Sequence, residues 1–366
     1  MNLKGVDQMK LPALRFGDLV ASVPIIQGAM GVGVSLSKLA AAVANEGGIG
    51  IISGVQIGYR EEDFERNNGE ANIRALKKEI QKARALSPKG ILGVNLLTAI
   101  NNYKEMVMAA VEEKIDLIVS GAGLPKDLPE FIKGSKTKIA PIVSSGKAAT
   151  LITKLWDRRF SYIPDLIIVE GPDAGGHLGF SLEELNAEDK PSLKERVKEV
   201  IEAMKPFEEK YGRNIPVIAA GGIFSGKDIA EYIALGASGV QMGTRFVATE
   251  ECDAHVNFKQ AYVDSKEADI QIVKSPVGMP GRAIRNNLME RVEVDRVPVT
   301  KCYNCLQPCN PKETPYCIST ALIKAVKGQM DEGLIFAGSN AYKVEKITTV
   351  KELIQELIAE AEIAMG

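Results

Sequence analysis

The stretch that decides the fold reads VIAAGG at residues 217–222 and GVQMGT at residues 239–244, with an amphipathic segment at 226–235 between them. Both short apolar runs are followed by glycine. Strands that are buried on both faces have continuous apolar runs, and a helix between two such strands joins them as right-handed parallel neighbours. The stretch therefore predicts one β-α-β unit of a parallel sheet.

The same alternation extends toward the N-terminus as far as residue 25. Eight apolar runs are predicted strands, at 25–27, 49–52, 92–97, 117–120, 139–143, 166–170, 217–220 and 239–242. Predicted helices lie at 36–46, 71–86, 102–113, 127–133, 147–156, 192–210 and 226–235. We expect Ser35 or Ser37 to cap the first helix. Eight such units in about 250 residues favour a closed α/β (β/α)8 TIM barrel over an open doubly wound sheet, which periodicity alone does not exclude.

The chain changes character after residue 249. Six prolines and all five cysteines, four of them clustered at 302–317, lie within 250–318, where strands and helices no longer alternate clearly. Helical spacing returns at 319–329, which we expect to be the eighth barrel helix, and again at 349–364. The predicted organisation is a barrel core at 1–249, a Cys-containing insertion near the barrel mouth at 250–318, and C-terminal helices that complete the barrel at 319–366.

The composition excludes several classes of protein. Among the 366 residues, 45 Lys and Arg balance 47 Asp and Glu, which gives a net charge of −2. This balance predicts no binding to nucleic acid or to an anionic membrane. Apolar runs stay far below the roughly 20 residues that a membrane span needs, and residues 1–20 lack the apolar core of a secretory signal. With so few, clustered cysteines, we expect a cytoplasmic protein.

The ends of the last two predicted strands indicate a phosphate site. Gly221 and Gly222 follow the seventh strand, and Gly243 and Thr244 follow the eighth. Barrels that hold a phosphate use these two loops, where glycine lets backbone N–H groups approach the oxygens. The alternative is that these glycines only turn the chain. Because both expected positions carry such a turn, we favour phosphate binding.

Two titratable residues come at the end of the sixth predicted strand. Glu170 ends this strand, and His177 follows in the glycine-containing loop after it. A lone histidine is often structural, but this position at the barrel mouth favours a hydrogen-bond donor or a base. Glu170 is expected either to accept hydrogen bonds from a ligand or to pair with a basic residue. His255 lacks such a setting, and we interpret it as structural.

Four clustered cysteines are candidates for a metal site. They are Cys302, Cys305, Cys309 and Cys317. A C-x-x-C pair with two further cysteines can bind zinc or an iron–sulfur cluster, but this spacing matches neither zinc ribbons nor ferredoxins. The alternative is four reduced thiols in a proline-rich loop. We therefore predict no metal among the site residues.

Five motifs, taken together, resemble the nitronate monooxygenase family, formerly the 2-nitropropane dioxygenases. They read PIIQGAM at 24–30, GVNL at 93–96, EGPDAGGH at 170–177, AAGGI at 219–223 and QMGTRF at 241–246. The FMN-dependent enoyl-acyl-carrier-protein reductases are similar in barrel and motifs. The resemblance implies a TIM barrel that holds FMN non-covalently, with the flavin performing the electron transfer.

The resemblance also implies the site residues. His177 corresponds to the active-site histidine, which would orient the nitro group of a nitronate or remove the α-proton of a nitroalkane. Ala29 and Met30 would lie against the flavin ring. The remaining implied FMN contacts are Asn95, Glu170, Gly175, Gly176, Gly221, Gly222, Gln241, Met242, Gly243 and Thr244.

The substrate is left open between two small molecules. One is an alkyl nitronate, oxidised with O2, and the other is an enoyl thioester, reduced with NAD(P)H. Glu170 and the segment at 281–286 are similar to the reductases, whereas the tail through 336–340 is similar to bacterial nitronate monooxygenases. A phosphate-binding barrel without redox chemistry is a third hypothesis, disfavoured by the scarcity of Lys and carboxylates at the strand ends. A homodimer is left open as well.

Overall fold

Eight parallel strands form a closed barrel in the computed structural model, which describes residues 10–190, 192–307 and 309–366. The strands are β1 (Ile25–Gln27), β2 (Ile49–Ser53), β3 (Ile91–Leu97), β4 (Leu117–Gly121), β5 (Lys138–Val143), β6 (Ile167–Glu170), β7 (Val217–Ala220) and β8 (Gly239–Met242). Pairing of β8 with β1, with Gln241 opposite Ile26, closes the barrel. The predicted TIM barrel is confirmed, and the strand bounds agree with the prediction to within a residue.

Helices surround the barrel and continue through the C-terminal part of the chain. They are α1 (Ser37–Asn45), α2 (Asn68–Leu86), α3 (Tyr103–Glu112), α4 (Leu128–Phe131), α5 (Gly146–Phe160), α6 (Leu182–Asn186), α7 (Leu193–Tyr211), α8 (Gly226–Ala234), α9 (Thr244–Val247), α10 (Val256–Asp264), α11 (Asn287–Val294), α12 (Ile318–Val326) and α13 (Val350–Met365). None of the helices in the described ranges has the length and apolar character needed to cross a bilayer.

The N-terminal end of the barrel is plugged. A hairpin of two short strands, Leu14–Phe16 and Leu19–Ala21, precedes β1. Its Leu14 and Phe16 side chains are buried in one apolar cluster with the barrel-interior residues, among them Ile26. Because this end is filled, a ligand site must lie at the opposite, C-terminal end of the strands, which is where TIM-barrel sites form.

The eighth barrel helix differs from the prediction. Helix α13 packs against α8 and α1, and the backbone N–H of Gly226 in α8 donates to the Glu360 carboxylate at 2.7 Å. The expectation that 319–329 forms this helix is wrong. Both segments are apolar, but α12 is almost entirely buried and lies over the barrel mouth, where Ser319 lines a cavity. The three-part division of the chain stays a prediction.

A small antiparallel sheet covers part of the barrel mouth, and sequence analysis did not predict it. We name it the mouth sheet: its strands are Ile270–Lys274, Pro280–Ile284 and Gly176–His177, in that spatial order. His177 is paired with Gly281. The sheet therefore connects the loop after β6 to the segment at 250–318.

The cap of α1 is also different from the prediction. Neither serine caps it; instead the Asp253 carboxylate accepts from the N–H groups of Leu36 and Leu39, at 2.8 and 3.2 Å. The Ser35 hydroxyl accepts from the N–H of Met30 at 2.9 Å. Ser35 therefore stabilises the loop after β1 rather than the helix.

Candidate active site at the barrel mouth

A cavity of about 920 Å³ opens at the C-terminal end of the barrel strands. This volume lies within the range of about 300–1,000 Å³ that is typical of small-molecule sites. Every predicted site residue lines it: Ala29, Met30, Asn95, Glu170, Gly175, Gly176, His177, Gly221, Gly222, Gln241, Met242, Gly243 and Thr244. The structure thus brings the predicted residues together, while their individual roles stay predictions.

The turns after β7 and β8 form a cradle of backbone donors. Gly221 and Gly222 have φ angles of +97° and +80°, a left-handed conformation that favours glycine. Asn340 fixes this turn, since its side-chain amide donates to the Gly222 carbonyl at 2.6 Å. The N–H groups of Gly222 and Gly243 donate to no acceptor among the described residues. Free backbone donors at glycine turns suit the oxygens of a phosphate.

Arg282 holds the loop after β6 in place. This residue is 8% exposed, and its guanidinium donates to the carbonyls of Pro172 and Ala174 at 2.7 and 2.6 Å. Burial lowers its pKa, and the nearby Asp173 opposes this shift. A buried cation is costly unless it is hydrogen-bonded, and these two carbonyls supply the bonds. Arg282 therefore fixes the path of the segment that leads to His177.

His177 lies on the cavity wall in a restricted environment. Its Nε2 is 2.7 Å from the Ser275 hydroxyl oxygen. Its ring packs edge-on against Phe336, with centroids 5.0 Å apart and an interplanar angle of 68°. Burial lowers the pKa of His177 to about 4. The imidazole is therefore neutral at physiological pH and can form hydrogen bonds through both nitrogens.

Glu170 ends β6 beside Ala220 of β7 and faces the cavity. Its carboxyl forms no hydrogen bond or ion pair with another residue in the described part of the chain. Burial raises its pKa from 4.5 to about 7, because nothing nearby compensates the negative charge. The predicted alternative, a pairing with a basic residue, does not occur among the described residues. The Glu170 carboxyl is thus available to form a hydrogen bond with a ligand in the cavity.

The loop after β1 presents Ala29 and Met30 to the cavity. The buried Gln27 side chain donates to the Gly28 carbonyl at 2.6 Å and accepts from the N–H of Ile51 at 3.1 Å. The N–H of Gly28 also donates to the Met242 carbonyl at 2.8 Å. This loop is therefore fixed to both neighbouring strands and provides a rigid wall.

The cysteines remain separate thiols. All five are free, and Cys302 and Cys305 lie on the cavity wall. Within residues 10–190, 192–307 and 309–366, no group of three or more His, Cys, Asp or Glu side chains is placed to hold a metal ion. His255 lies outside the cavity, where its Nδ1 accepts from the N–H of Asn257 at 3.1 Å at the start of α10.

Sequence reasoning missed several residues that shape this site. Ser275, Phe336, Arg282 and Asn340 all act on motif residues from distant parts of the chain. For the segments at 281–286 and 336–340, the resemblance to known families is the signal that the sequence offers. No local pattern marks Ser275, because its partner His177 lies 98 positions away.

Comparisons with known proteins agree with this geometry. The profile of the nitronate monooxygenase family matches residues 15–360. The chain is 26% identical over 363 residues to a probable nitronate monooxygenase from Bacillus subtilis, with 92% of this chain and 95% of that protein covered. It is 27% identical over 270 residues to a substituted octahydroindene-carboxyl-CoA dehydrogenase from Rhodococcus jostii, with 74% of this chain and 65% of that protein covered.

A solved structure is similar over most of the chain. FabK from Thermotoga maritima superposes with a TM-score of 0.72 at 28% identity, with 93% of each chain covered. The family match spans well over half of the sequence, and the solved structure is similar over 93% of the chain. The chain therefore belongs to the nitronate monooxygenase family and is an oxidoreductase of this flavin-enzyme family.

Proposed function

We propose that the cavity binds FMN. The support is the cradle of unpaired N–H groups on Gly222 and Gly243, which suits a phosphate, and the wall at Ala29 and Met30, which is fixed by hydrogen bonds and borders the same cavity. Bound FMN would accept electrons from the substrate and pass them to an acceptor such as O2. Glu170 would meet the cofactor as a hydrogen-bonding carboxyl.

The remaining predicted contacts belong to the same proposal. Asn95, Gly175 and Gly176 would contact the ribityl chain and the ring, and Gly221 and Gln241 to Thr244 would complete the phosphate site. The purified protein should then carry a visible flavin absorption, and acid release should yield FMN. A protein that stays colourless and cannot be reconstituted with FMN would contradict this assignment. It would favour the hypothesis of a phosphate-binding barrel without redox chemistry.

We further propose that the substrate is an alkyl nitronate, oxidised with O2. The observation that carries this is the neutral His177, held at 2.7 Å from Ser275 on the cavity wall. A neutral imidazole next to a cofactor can orient the charged oxygens of a nitronate without leaving a buried charge of its own. Arg282 would keep the loop in the geometry that presents His177 to the substrate.

The test is oxygen consumption with a preformed alkyl nitronate, combined with anaerobic addition of NADPH and then NADH. We expect rapid oxygen uptake with nitronate and a flavin band that persists through both nucleotide additions. His177→Asn should lower the rate, whereas His255→Asn, outside the cavity, is the matched control. Rapid bleaching by either nucleotide, without nitronate oxidation, would contradict the proposal.

A second candidate is a reductase of enoyl thioesters that uses NAD(P)H. The cavity also extends across the barrel, to the loops after β2 and β3, where it is lined by Asn68, Asn101 and Cys302. A small nitronate would leave this arm empty, but the amide groups there could bind a long polar chain such as pantetheine. The Rhodococcus relative, whose name specifies a carboxyl-CoA, is consistent with this reading. Bleaching by NADPH followed by reoxidation with an enoyl-CoA would support it.

Location and assembly also remain proposals. We propose a cytoplasmic enzyme, since all five cysteines are free thiols, as expected in a reducing compartment. We propose a small-molecule substrate and no nucleic-acid partner because the net charge is only −2. A homodimer stays a prediction that sedimentation equilibrium would test.

A further inference from the structure

The pair formed by His177 and Ser275 assigns a role to the imidazole. We propose that Ser275 is a positioning residue, which holds His177 as the tautomer with its proton on Nδ1, so that His177 donates a hydrogen bond to the substrate and does not accept a proton from it. This inference rests on the proposed function for the identity of the substrate. The tautomer itself can be tested without any substrate.

The hydrogen-bond partners of Ser275 decide the tautomer. Its hydroxyl is buried, with the residue 8% exposed, and the oxygen also faces the N–H of Val277 at 3.5 Å. The backbone N–H of Val277 can only donate a hydrogen bond, so the proton of the Ser275 hydroxyl needs an acceptor elsewhere. Among the described residues, Nε2 of His177, at 2.7 Å, is the acceptor that the hydroxyl reaches. Since buried donors are almost always paired, Ser275 donates to Nε2.

The opposite tautomer would leave the hydroxyl proton of Ser275 without a hydrogen-bond acceptor. With the proton on Nε2, His177 would donate to the Ser275 oxygen, and the buried hydroxyl proton would lose its acceptor. Leaving a buried donor without an acceptor is energetically unfavourable. With the proton on Nδ1, Ser275 is paired and the Nδ1–H group, which has no partner in the described part of the chain, is free for a ligand.

The surroundings keep the ring from rotating to exchange its two nitrogens. Phe336 packs against it at 5.0 Å, and the backbone of His177 is paired with Gly281 in the mouth sheet. Ser275 lies directly after the strand Ile270–Lys274 of the same sheet. The mouth sheet therefore positions both members of the pair, which gives the segment after residue 249 a function in the site.

This tautomer has a consequence for the substrate. A nitronate already carries its negative charge on the nitro oxygens and needs only a donor, which Nδ1–H supplies. A neutral nitroalkane must first lose its α-proton, and this requires a free imidazole lone pair. Because Ser275 occupies Nε2, His177 has no lone pair to offer. We therefore expect the enzyme to use preformed nitronate and to act on the neutral nitroalkane at least ~10-fold more slowly.

The decisive measurement is a long-range ¹H–¹⁵N NMR correlation on purified, flavin-containing protein labelled in histidine. The chain has only two histidines, His177 and His255. At about pH 8, where an ordinary imidazole is neutral, we expect His177 to show the Nδ1–H pattern. His255 is an internal control that should show the opposite, Nε2–H pattern. Its Nδ1 accepts a hydrogen bond from the N–H of Asn257, so its proton must lie on Nε2.

Two variants extend this test. Ser275→Ala should abolish the Nδ1–H preference of His177 while the His255 signals stay unchanged, which also reports that the fold is intact. His177→Asn places its amide donor near the position of Nδ1, whereas His177→Gln places it near Nε2. We expect KM for nitronate to rise at least ~3-fold more in the Gln variant than in the Asn variant.

The outcomes separate this inference from the proposed function. An Nε2–H pattern for His177 in the unaltered protein overturns the inference, whether or not nitronate is oxidised. An Nδ1–H pattern that Ser275→Ala removes supports the inference. If nitronate is then not a substrate, only the proposed function fails.

Discussion

Replacement of Glu170 by glutamine should stabilise the flavin-free protein in a strongly pH-dependent way. The Glu170 carboxyl lies at the cavity wall, shielded from bulk solvent and without a counter-charge among the described residues, so folding raises its pKa from 4.5 to about 7. Between these values the folded state binds more protons than the unfolded state. The free energy of unfolding therefore falls as the pH rises through this window, and the full penalty is present above about pH 7.

The size of the expected stabilisation follows from the pKa shift of Glu170. At ~1.36 kcal/mol per pKa unit, a rise from 4.5 to about 7 corresponds to about 3 kcal/mol of lost stability above the window. Glutamine has nearly the same shape as the carboxyl and no charge. For 366 residues with an unfolding entropy of ~2.1 cal/mol/K each, about 3 kcal/mol raises Tm by ~4 °C.

The assay is thermal unfolding of the flavin-free protein and its Glu170→Gln variant at about pH 5 and about pH 8. We expect a Tm difference of ~4 °C at the higher pH and ~1 °C at the lower pH. Glu188→Gln, on the exposed surface, is the matched control and should leave Tm unchanged at both pH values. An equal shift at the two pH values, or a loss of stability at pH 8, would refute the reasoning.

Two further changes test the cradle and the loop. Gly222→Ala adds left-handed strain at φ +80° and places a Cβ 3.0 Å from the Asp173 side chain. Relief of this strain would move the Gly222 N–H out of the cradle, so FMN binding should weaken ~10-fold in a fluorescence titration, which corresponds to ~1.4 kcal/mol. Gly212→Ala, at φ +61° with open space around it, should destabilise the fold but leave FMN affinity unchanged. Arg282→Lys disrupts the bonds to two buried carbonyls and should lower the urea midpoint of unfolding by the equivalent of ~3 kcal/mol; Arg285→Lys, in an exposed ion pair, should change it by less than ~1 kcal/mol.

The barrel could be predicted because its signals are local. Each buried parallel strand is a short apolar run, and each run is followed by glycine or serine and then a helical pattern, so counting these units gives the architecture. The bounds of β1, β7 and β8 agree with the prediction at both ends. The gathering of the candidate site residues followed from one rule, that the carboxyl ends of barrel strands meet at one mouth.

The remaining features depend on contacts between distant residues. Asp253 accepts a hydrogen bond from Leu36, which precedes helix α1 and lies 217 positions earlier, and no local spacing indicates such a partner. The strand Gly176–His177 has two residues, too few for a periodic pattern, and its neighbour begins at Pro280. Helices α12 and α13 are both apolar, and periodicity does not tell which of them closes the barrel.

The position of α13 has a consequence for the order of events during synthesis. The groove that it fills, between α1 and α8, is formed by residues translated much earlier, and about 100 residues separate α9 from α13. At ~5–20 residues per second, the ribosome needs ~5–20 s to make this intervening chain. For that time the emerging barrel has its strands but exposes the apolar surface that Leu353 and Leu357 later cover. We therefore expect slower elongation to lengthen this interval and to increase association of nascent chains, and a chaperone that binds the exposed surface to reduce it.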